Sequence, residues 1–325
     1  MTVSHVDDAS PVLSVRDLVV EYSVRRGGRV QAVSGVSFEL RRGETFGLVG
    51  ESGCGKSSLA RAVIRLVEPT AGTVTLEGVD VGAMSRQELR ASRGTMQMIF
   101  QDPISSLNPR RKIGDIIAEG LDIAGTPSRS ERDATVREVM ESVGLDFDLT
   151  ADRYPHEFSG GQCQRVSIGR ALSTSPSVVV CDEPVSALDV SVQAQVLNLL
   201  EDMKARYGLS LLFIAHDLAV VKKMSDRIGV MYLGKLCEIG ATEEIYREPL
   251  HPYTRALWNA IPQPGVPQRT PELSGDLPSP LDPPSGCRFR TRCPLATDLC
   301  AQVEPDMVEV APGRKVACHF PLTSV

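Results

Sequence analysis

Gly50-Glu51-Ser52-Gly53-Cys54-Gly55-Lys56-Ser57 is the stretch that decides the fold of this chain. It fits the pattern Gly-x-x-x-x-Gly-Lys-Ser/Thr of a phosphate-binding loop. The apolar residues 45–49 before it predict a buried strand, and apolar residues at helical spacing over 59–67 predict a helix after it. A phosphate loop connects a strand to a helix in this order, so the surrounding sequence supports the motif.

The residue types of this loop match its chemistry. Gly50, Gly53 and Gly55 allow backbone conformations that a Cβ would hinder, so that successive N–H groups face one anion at the helix N-terminus. Lys56 adds a positive charge for β- and γ-phosphates, and the Ser57 hydroxyl is a ligand for Mg²⁺. The alternative is a glycine-rich turn that fits the pattern by chance, and the motifs described next count against it.

The composition excludes several classes of protein. The 325 residues are 42% hydrophobic and 23% charged, which is typical of a globular protein of one large or two modest domains. A net charge of -6 provides no basic field for nucleic acid. The polar start of the chain is unlike a signal peptide, and no apolar run approaches the ~18 to 20 residues of a membrane helix. We therefore expect a cytosolic chain that meets a membrane only through a partner.

The order of the elements predicts an α/β fold. Residues 12–24 are rich in β-forming residues and predict a β-subdomain. From about residue 105 to 173 the pattern is helical, which predicts a helical insertion between two halves of a nucleotide fold. Buried strands at 177–181 and 209–215 flank a helix at 191–206, as in a parallel sheet with crossover helices.

Acidic side chains follow the first of these buried strands. Asp182 and Glu183 stand at its carboxyl end, where an open parallel sheet places ligand-binding groups. Asp182 is predicted to hold Mg²⁺ through water, and Glu183 to be the general base for the attacking water. The alternative is a helix cap with an exposed neighbour, which the phosphate loop makes the weaker interpretation.

Two other side chains allow two interpretations each. His216 follows the strand at 209–215 and could contact a γ-phosphate, although a packed or solvated histidine is an equal interpretation of the residue alone. Tyr22 could stack on an adenine ring, although the sequence by itself favours a half-exposed tyrosine of a strand.

Five elements in one order resemble those of the ATP-binding cassette (ABC) ATPases. They are the loop 50–57, Gln101, Ser159-Gly160-Gly161-Gln162, Asp182-Glu183 with residues 186–189, and His216. Other phosphate-loop proteins lack the Ser-Gly-Gly-Gln element. The resemblance covers about residues 12–240. It implies a phosphate-loop core with a mostly parallel sheet and an antiparallel β-subdomain, a helical subdomain, and a small irregular C-terminal segment that contains cysteines.

The resemblance also implies a role for each matching position. Tyr22 stacks on adenine, Gln101 ligates Mg²⁺ together with Ser57 and Asp182, and His216 holds the γ-phosphate and the catalytic water. The triphosphate is held by Gly50, Ser52, Gly53, Cys54, Gly55, Lys56, Ser57 and Ser58. Ser159, Gly160, Gly161 and Gln162 reach the nucleotide of the other ATPase subunit, and Asp189 organises that interface. No catalytic position is missing, so an active site is expected.

A finer resemblance is to the oligopeptide and dipeptide importers. It rests on Phe100-Gln101-Asp102-Pro103, residues 182–191 and His251-Pro252-Tyr253-Thr254, and Val185-Ser186 resembles its F-type ATPase. It implies a subunit that hydrolyses ATP to power peptide import, bound peripherally at the cytoplasmic face of the inner or plasma membrane. The implied partners are a second ABC ATPase in a heterodimer, two membrane-spanning permease subunits and, indirectly, a substrate-binding protein.

The same comparison predicts the division of the chain. Residues 1–10 are expected to be a disordered tail, and residues 11–260 an ABC ATPase domain with its helical subdomain at about 103–175. Residues 261–325 are expected to be a proline-rich strap followed by a four-cysteine extension of the oligopeptide-importer type.

The C-terminal cysteines need a separate explanation. Cys287, Cys293, Cys300 and Cys318 lie in a short segment that has little core of its own. Disulfides are disfavoured in the cytosol, and the spacing lacks the Cys-x-x-Cys pairs of zinc ribbons. Four thiolates suit an iron–sulfur cluster that staples the segment, and some members of the importer branch are reported to carry a 4Fe-4S cluster at such a tail. Zinc and free thiols are the alternatives, and the expected role is structural rather than redox.

Three other functions remain as alternatives. A nickel, glutathione or other small-solute importer would use the same ATPase, because the substrate meets other subunits. A soluble ABC ATPase acting on DNA or ribosomes is disfavoured, since neither a long coiled-coil insert nor a second cassette is present. An iron–sulfur redox protein with a vestigial nucleotide site fits the tail but not the intact motifs.

Overall fold

The computed structural model describes residues 10–24, 28–125, 128–260 and 275–322. The predicted disordered tail therefore lies almost wholly outside the described residues, as does the first half of the predicted proline-rich strap. The described chain forms two compact units. Of the described residues, the first unit contains those before Ser14 together with Leu40–Glu44 and Leu76–Phe213, and the second contains those within Ser14–Glu39 and Thr45–Thr75 and those from Ile214 onward.

The strands are numbered in chain order: β1 Leu13–Val24, β2 Gly28–Leu40, β3 Thr45–Val49, β4 Ala71–Leu76, β5 Val79–Asp80, β6 Met96–Ile99, β7 Val178–Asp182, β8 Ser210–Ile214, β9 Arg227–Tyr232, β10 Lys235–Ala241, β11 Val308–Ala311 and β12 Arg314–Val316. The helices are α1 Lys56–Val63, α2 Arg86–Ser92, α3 Ile113–Ile117, α4 Glu119–Ala124, α5 Arg129–Ser142, α6 Phe147–Thr150, α7 Gly160–Leu172, α8 Val190–Tyr207, α9 Leu218–Met224, α10 Thr242–Arg247, α11 Pro252–Asn259 and α12 Asp298–Gln302, with a 3-10 turn at Pro155–Glu157.

The first unit is built on buried parallel strands. β6 and β7 pair in parallel, with Met96 opposite Val178 and Ile99 opposite Cys181, and β8 lies on the other side of β7. Every residue of β7 is buried, as its unbroken apolar run predicts. The helix α7 packs against β6 and against α3 and α5. Asp182 and Ser159 are thereby fixed at the ends of packed elements.

The second unit contains the strand that leads into the phosphate loop. β3 is fully buried and pairs in parallel with β9, while β10 pairs antiparallel with β9. β12 pairs antiparallel with β10, and β11 pairs with β12 at the edge. In a separate sheet β1 lies between β2 and β4. The C-terminal extension is therefore less irregular than predicted, because its strand β12 extends the β9-β10 pair.

Two helices differ from their prediction. The helix after the phosphate loop ends at Val63, and Arg65 follows with a left-handed φ of 54°, whereas the sequence pattern predicts helix through residue 67. A Schellman motif ends the helix, because the Arg65 N–H donates to the Ala62 carbonyl oxygen at 2.9 Å and the Leu66 N–H donates to that of Arg61 at 2.8 Å. The predicted helix at 113–123 is interrupted at Ala118 and forms α3 and α4. In the part of the chain that the structure describes, no helix has the length and apolar character needed to cross a membrane.

Candidate functional site

The phosphate loop connects β3 to α1 in a conformation that requires glycine. Gly50 and Gly55 have φ values of 153° and 108°. A Cβ on Gly50 would lie 2.1 Å from the Met231 carbonyl oxygen, and one on Gly55 would lie 2.0 Å from that of Ala32. Both positions are therefore closed to other residues by close backbone approach as well as by φ.

Lys56 begins α1 and folds back over the loop. Its side chain is buried, and Nζ donates hydrogen bonds to the carbonyl oxygens of Gly50 at 2.8 Å and Glu51 at 3.0 Å. No side-chain hydrogen bond caps the helix, whose N-cap is Gly55. The loop thus places an ammonium group beside a helix N-terminus, where backbone N–H groups favour anions.

Cys54 is a structural member of the same loop. Its side chain is buried, and Sγ lies 3.8 Å from Lys56 Nζ. Burial raises the pKa of this thiol, and the neighbouring Lys56 ammonium opposes that rise only in part. Burial therefore favours the neutral thiol over the thiolate, which is the nucleophilic form.

The acidic pair of the first unit lies at the end of β7. Asp182 is its last residue and is buried. Glu183 has a left-handed φ of 48°, and its Oε2 accepts a hydrogen bond of 3.0 Å from Gln101 Nε2. Ser186 Oγ donates to the Glu183 carbonyl oxygen at 3.1 Å. The structure therefore brings Gln101 and Glu183 together, two residues that the sequence places 82 positions apart.

The Ser-Gly-Gly-Gln element forms the N-terminus of α7. Ser159 Oγ accepts from the Gln162 backbone N–H at 3.4 Å, and Gln162 Oε1 accepts from the Ser159 N–H at 3.0 Å, which is a capping box. Both of these residues are exposed. Asp189, the N-cap of α8, is exposed as well and makes no side-chain capping bond. The helix end is thus preorganised while its polar surface stays open to solvent.

Tyr22 and His216 are two further predicted site residues. Tyr22 lies on β1 and is half-buried, and His216 follows β8 and is exposed. The neighbouring Asp217 caps α9 by accepting hydrogen bonds from the N–H groups of Ala219 and Val220. That cap fixes the backbone beside His216.

Comparison with known proteins matches two regions of the chain. Residues 33–186 match the family model described as ABC transporter, and residues 237–300 match the oligopeptide/dipeptide transporter, C-terminal region. The oligopeptide transport ATP-binding protein OppF of Salmonella typhimurium is 51% identical over 96% of this chain and 97% of its own length. AppF of Bacillus subtilis, with the same description, is 48% identical over 95% and 97%. The chain belongs to the ABC transporter ATPases.

Solved structures of ABC ATPases share the fold. A dimeric ATP-binding cassette, MJ0796, in a post-hydrolysis state with ADP and Pi matches with a TM-score of 0.64 and 25% identity over 71% of this chain and 98% of that one. CbiO1 of Clostridium perfringens matches with the same TM-score and identity over 73% and 91%. As an ABC-type ATPase, the chain hydrolyses ATP, and ATP with Mg²⁺ is the ligand that the family implies for the phosphate loop.

The four C-terminal cysteines of this ABC ATPase border one small cavity, together with His251 and Phe289. Burial raises the pKa of the Cys287 and Cys293 thiols and raises that of Cys318 to about 11. Neighbouring cysteines of the set add to each rise. Among the described residues, no three His, Cys, Asp or Glu side chains come close enough to hold a metal ion. The thiols are therefore gathered around one space without forming ligand geometry.

Two residues that contact the phosphate loop carry no sequence signal of that contact. Tyr253 is part of the motif His251-Pro252-Tyr253-Thr254, and Arg292 belongs to no motif. Both contact Glu51 of the loop in the structure. Their positions in sequence give no signal of this contact, since each lies more than 200 residues from Glu51.

Proposed function

We propose that this chain is the ATP-hydrolysing subunit of an importer for dipeptides and oligopeptides and forms one half of an ATPase dimer. The observation that carries the proposal is the similarity to oligopeptide transport ATP-binding proteins over almost the whole chain, C-terminal region included. The intact phosphate loop supports hydrolysis rather than a vestigial site.

The phosphate loop holds the triphosphate in this proposal. Backbone N–H groups of Gly50, Ser52, Gly53, Cys54, Gly55, Lys56, Ser57 and Ser58 surround the phosphates, and the Lys56 ammonium neutralises their charge. Ser57, Gln101 and Asp182 are the proposed Mg²⁺ ligands, with Asp182 acting through water. Oxygen donors suit this hard cation. The half-buried ring of Tyr22 supports its role as a platform for adenine.

Glu183 is the proposed general base. Its carboxylate accepts from Gln101, an orientation that supports removal of a proton from the attacking water. His216 is proposed to hold the γ-phosphate and that water. The exposure of the imidazole supports a role toward a ligand rather than in the core.

Pairing with a second ATPase completes the proposal. Ser159, Gly160, Gly161 and Gln162 present a helix N-terminus to the nucleotide held by the partner ATPase, and Asp189 organises the interface. The exposure of Ser159, Gln162 and Asp189 supports this assignment. At the cytoplasmic membrane face, two membrane-spanning permease subunits change conformation as the ATPase pair closes and opens. A substrate-binding protein delivers peptide to these permeases.

The test is ATP hydrolysis by this chain alone and then with its partner ATPase and permeases, with and without a peptide-loaded binding protein. Stimulation by the loaded binding protein supports a peptide importer. If only a nickel- or glutathione-loaded binding protein stimulates hydrolysis, the imported substrate is that solute rather than a peptide, and the ATPase role still holds. Robust hydrolysis that ignores every membrane partner would overturn the transport assignment.

We further propose that Cys287, Cys293, Cys300 and Cys318 hold a 4Fe-4S cluster. The grouping of four thiols around one cavity supports the donor set, since such clusters are held by four cysteine thiolates. When bound, the cluster cross-links a segment that has little core of its own. The raised thiol pKa values mean that ligation must release protons, so cluster retention weakens as the pH falls.

Anaerobic purification followed by iron and acid-labile sulfide analysis tests the cluster. About four irons and four sulfides per chain are expected. Stoichiometric zinc without sulfide, or four thiols that titrate freely with no metal, would overturn it. Cys318→Ser is the matched variant, because it removes one member of the set and leaves Cys54, Cys163, Cys181 and Cys237 in place.

A further inference from the structure

A salt bridge joins the four-cysteine segment to the phosphate loop within the second unit. Arg292 Nη1 donates to both carboxylate oxygens of Glu51, at 3.1 Å to Oε1 and 2.9 Å to Oε2. The Arg292 side chain is 6% exposed and that of Glu51 is 23% exposed. A pair this shielded from water differs from the usual surface ion pair, since removing one partner leaves the other charge poorly solvated.

A second connection reaches the backbone of the same loop residue. The Glu51 N–H donates to the Tyr253 hydroxyl at 2.9 Å. The Tyr253 ring contacts Phe289, with centroids 5.3 Å apart, and both rings contact Tyr232. Phe289 is fully buried and belongs to the cysteine segment. Glu51 is thus held by its side chain and by its backbone, and both contacts lead to residues 287–293.

The position of Arg292 is set by a tight turn between two cysteines. The Arg292 N–H donates to the Phe289 carbonyl oxygen at 3.0 Å, and the Arg290 N–H donates to that of Cys287 at 3.1 Å. Cys293 follows Arg292 directly. This turn, which has Cys287 and Cys293 at its two ends, therefore sets where the Arg292 side chain begins.

We propose that Arg292 is a positioning residue for the phosphate loop, so that the four-cysteine segment sets the affinity of this chain for ATP. The proposal rests on the proposed role of residues 50–58 in holding the triphosphate. Glu51 lies between Gly50 and Ser52, whose backbones turn toward the phosphates in that role. A shift of Glu51 would move these N–H groups away from the phosphate oxygens.

The test uses the full chain, with MgATP binding measured by calorimetry and steady-state hydrolysis measured in the assembled transporter. Arg292→Ala is expected to raise the Kd and the KM for ATP about tenfold, the scale of a lost hydrogen bond to a charged group, with kcat changed less than about twofold. Arg292→Lys is expected to restore part of the affinity, because it returns the charge without the planar guanidinium.

Three variants make the outcome specific. Arg290→Ala is the matched control, because the Arg290 side chain donates hydrogen bonds to Ser285 of the same segment rather than to Glu51, and it should bind ATP as the parent does. Glu51→Gln should weaken binding as Arg292→Ala does, and the double variant should be no worse than either single one. Lys56→Ala separates the two proposals: if it binds ATP normally, the role of the phosphate loop fails, and if it alone loses binding, only the Arg292 proposal fails.

A separate experiment tests whether the cysteines act on ATP binding through Arg292. Cys293→Ser is expected to raise the Kd for ATP in the parent chain and to have no further effect in the Arg292→Ala background. An equal effect in both backgrounds would overturn control through Arg292. If Arg292→Ala does not fold, Arg292→Lys and Glu51→Gln carry the test, and unchanged affinity in both folded variants would overturn the proposal.

Discussion

Gln101 and Glu183 are joined by a hydrogen bond of 3.0 Å from the Gln101 amide to the Glu183 carboxylate. The main chain of Glu183 is fixed separately, since the hydroxyl and the N–H of Ser186 both donate to its carbonyl oxygen. A residue with a left-handed φ of 48° costs conformational free energy unless its surroundings hold it. The contacts to Gln101 and Ser186 provide that support and orient the carboxylate.

This arrangement predicts that Glu183→Gln keeps ATP binding and stalls hydrolysis. The replacement amide oxygen still accepts from Gln101, so the local structure survives, but it cannot take a proton from water. Phosphate release should fall by about two orders of magnitude or more, the usual effect of losing a general base. Calorimetry with MgATP checks that binding persists. Unchanged phosphate release would remove Glu183 from the mechanism.

Alanine substitutions at Gly53 and Gly55 of the phosphate loop are predicted to lower the unfolding free energy by different amounts. Gly55→Ala would place a Cβ 2.0 Å from the Ala32 carbonyl oxygen, which is backbone and cannot move aside cheaply. Gly53→Ala also has a positive φ, 79°, but its Cβ would meet nothing closer than 4.0 Å. We expect Gly53→Ala to cost about 1 kcal/mol of unfolding free energy and Gly55→Ala clearly more. Thermal unfolding of both variants measures the difference, and equal melting temperatures would contradict the geometry.

Alanine substitutions at the two glycines of the Ser-Gly-Gly-Gln element can distinguish an effect on folding from an effect on pairing with the second ATPase. A Cβ on Gly160 would meet only Leu188 Cδ2, at an ordinary 3.6 Å, so Gly160→Ala should change the unfolding free energy by less than about 0.5 kcal/mol. If this helix end faces the nucleotide of the partner ATPase, the same variant should lower hydrolysis by the ATPase pair about tenfold or more. Full activity of a normally folded Gly160→Ala would contradict that placement.

Gly161→Ala is the comparison for that experiment. Its Cβ would lie 2.6 Å from Val192 Cγ1, inside the first unit. We therefore expect a loss of stability in the isolated chain, visible as a lower melting temperature, before any effect on the partner is considered.

Local patterns in the sequence predicted local features of the site. The loop glycines and the carboxylates after β7 are each specified by residues within a few positions of one another. The early end of α1 was missed because helical spacing continues past Val63, and the left-handed residue that ends the helix is Arg65 rather than the glycine usual at this position.

Contacts between distant positions could not be predicted. Arg292 and Glu51 are separated by 241 residues, and no periodicity or motif links a C-terminal arginine to the phosphate loop. The pairing of β12 with β10 was missed for the same reason, because three residues at Arg314–Val316 carry too little strand signal alone. The four cysteines were predicted to act together from their clustering, and the structure gathers them around one cavity.

A buried ion pair joins β10 to β12 and leads to a prediction about the unfolding free energy of the protein. Glu238 is fully buried, and its two carboxylate oxygens accept from the N–H groups of Leu250 and His251, each at 2.9 Å. Arg314 Nη2 lies 3.4 Å from Glu238 Oε1 and also donates to the Glu248 carbonyl oxygen. The arginine is thus the cation that balances a carboxylate with no access to water.

Arg314→Met should therefore destabilise the protein by about 3 to 5 kcal/mol, the range for removing one partner of a buried pair. Methionine preserves much of the side-chain volume, so the loss reports the unbalanced charge of Glu238 rather than a cavity. Lys315→Met on the same strand is the control, because Lys315 is exposed and its replacement should change the unfolding free energy by less than about 0.5 kcal/mol. Chemical denaturation of both variants measures the two values. If the Arg314 variant is as stable as the control, the two backbone donors alone are sufficient to hold the Glu238 carboxylate.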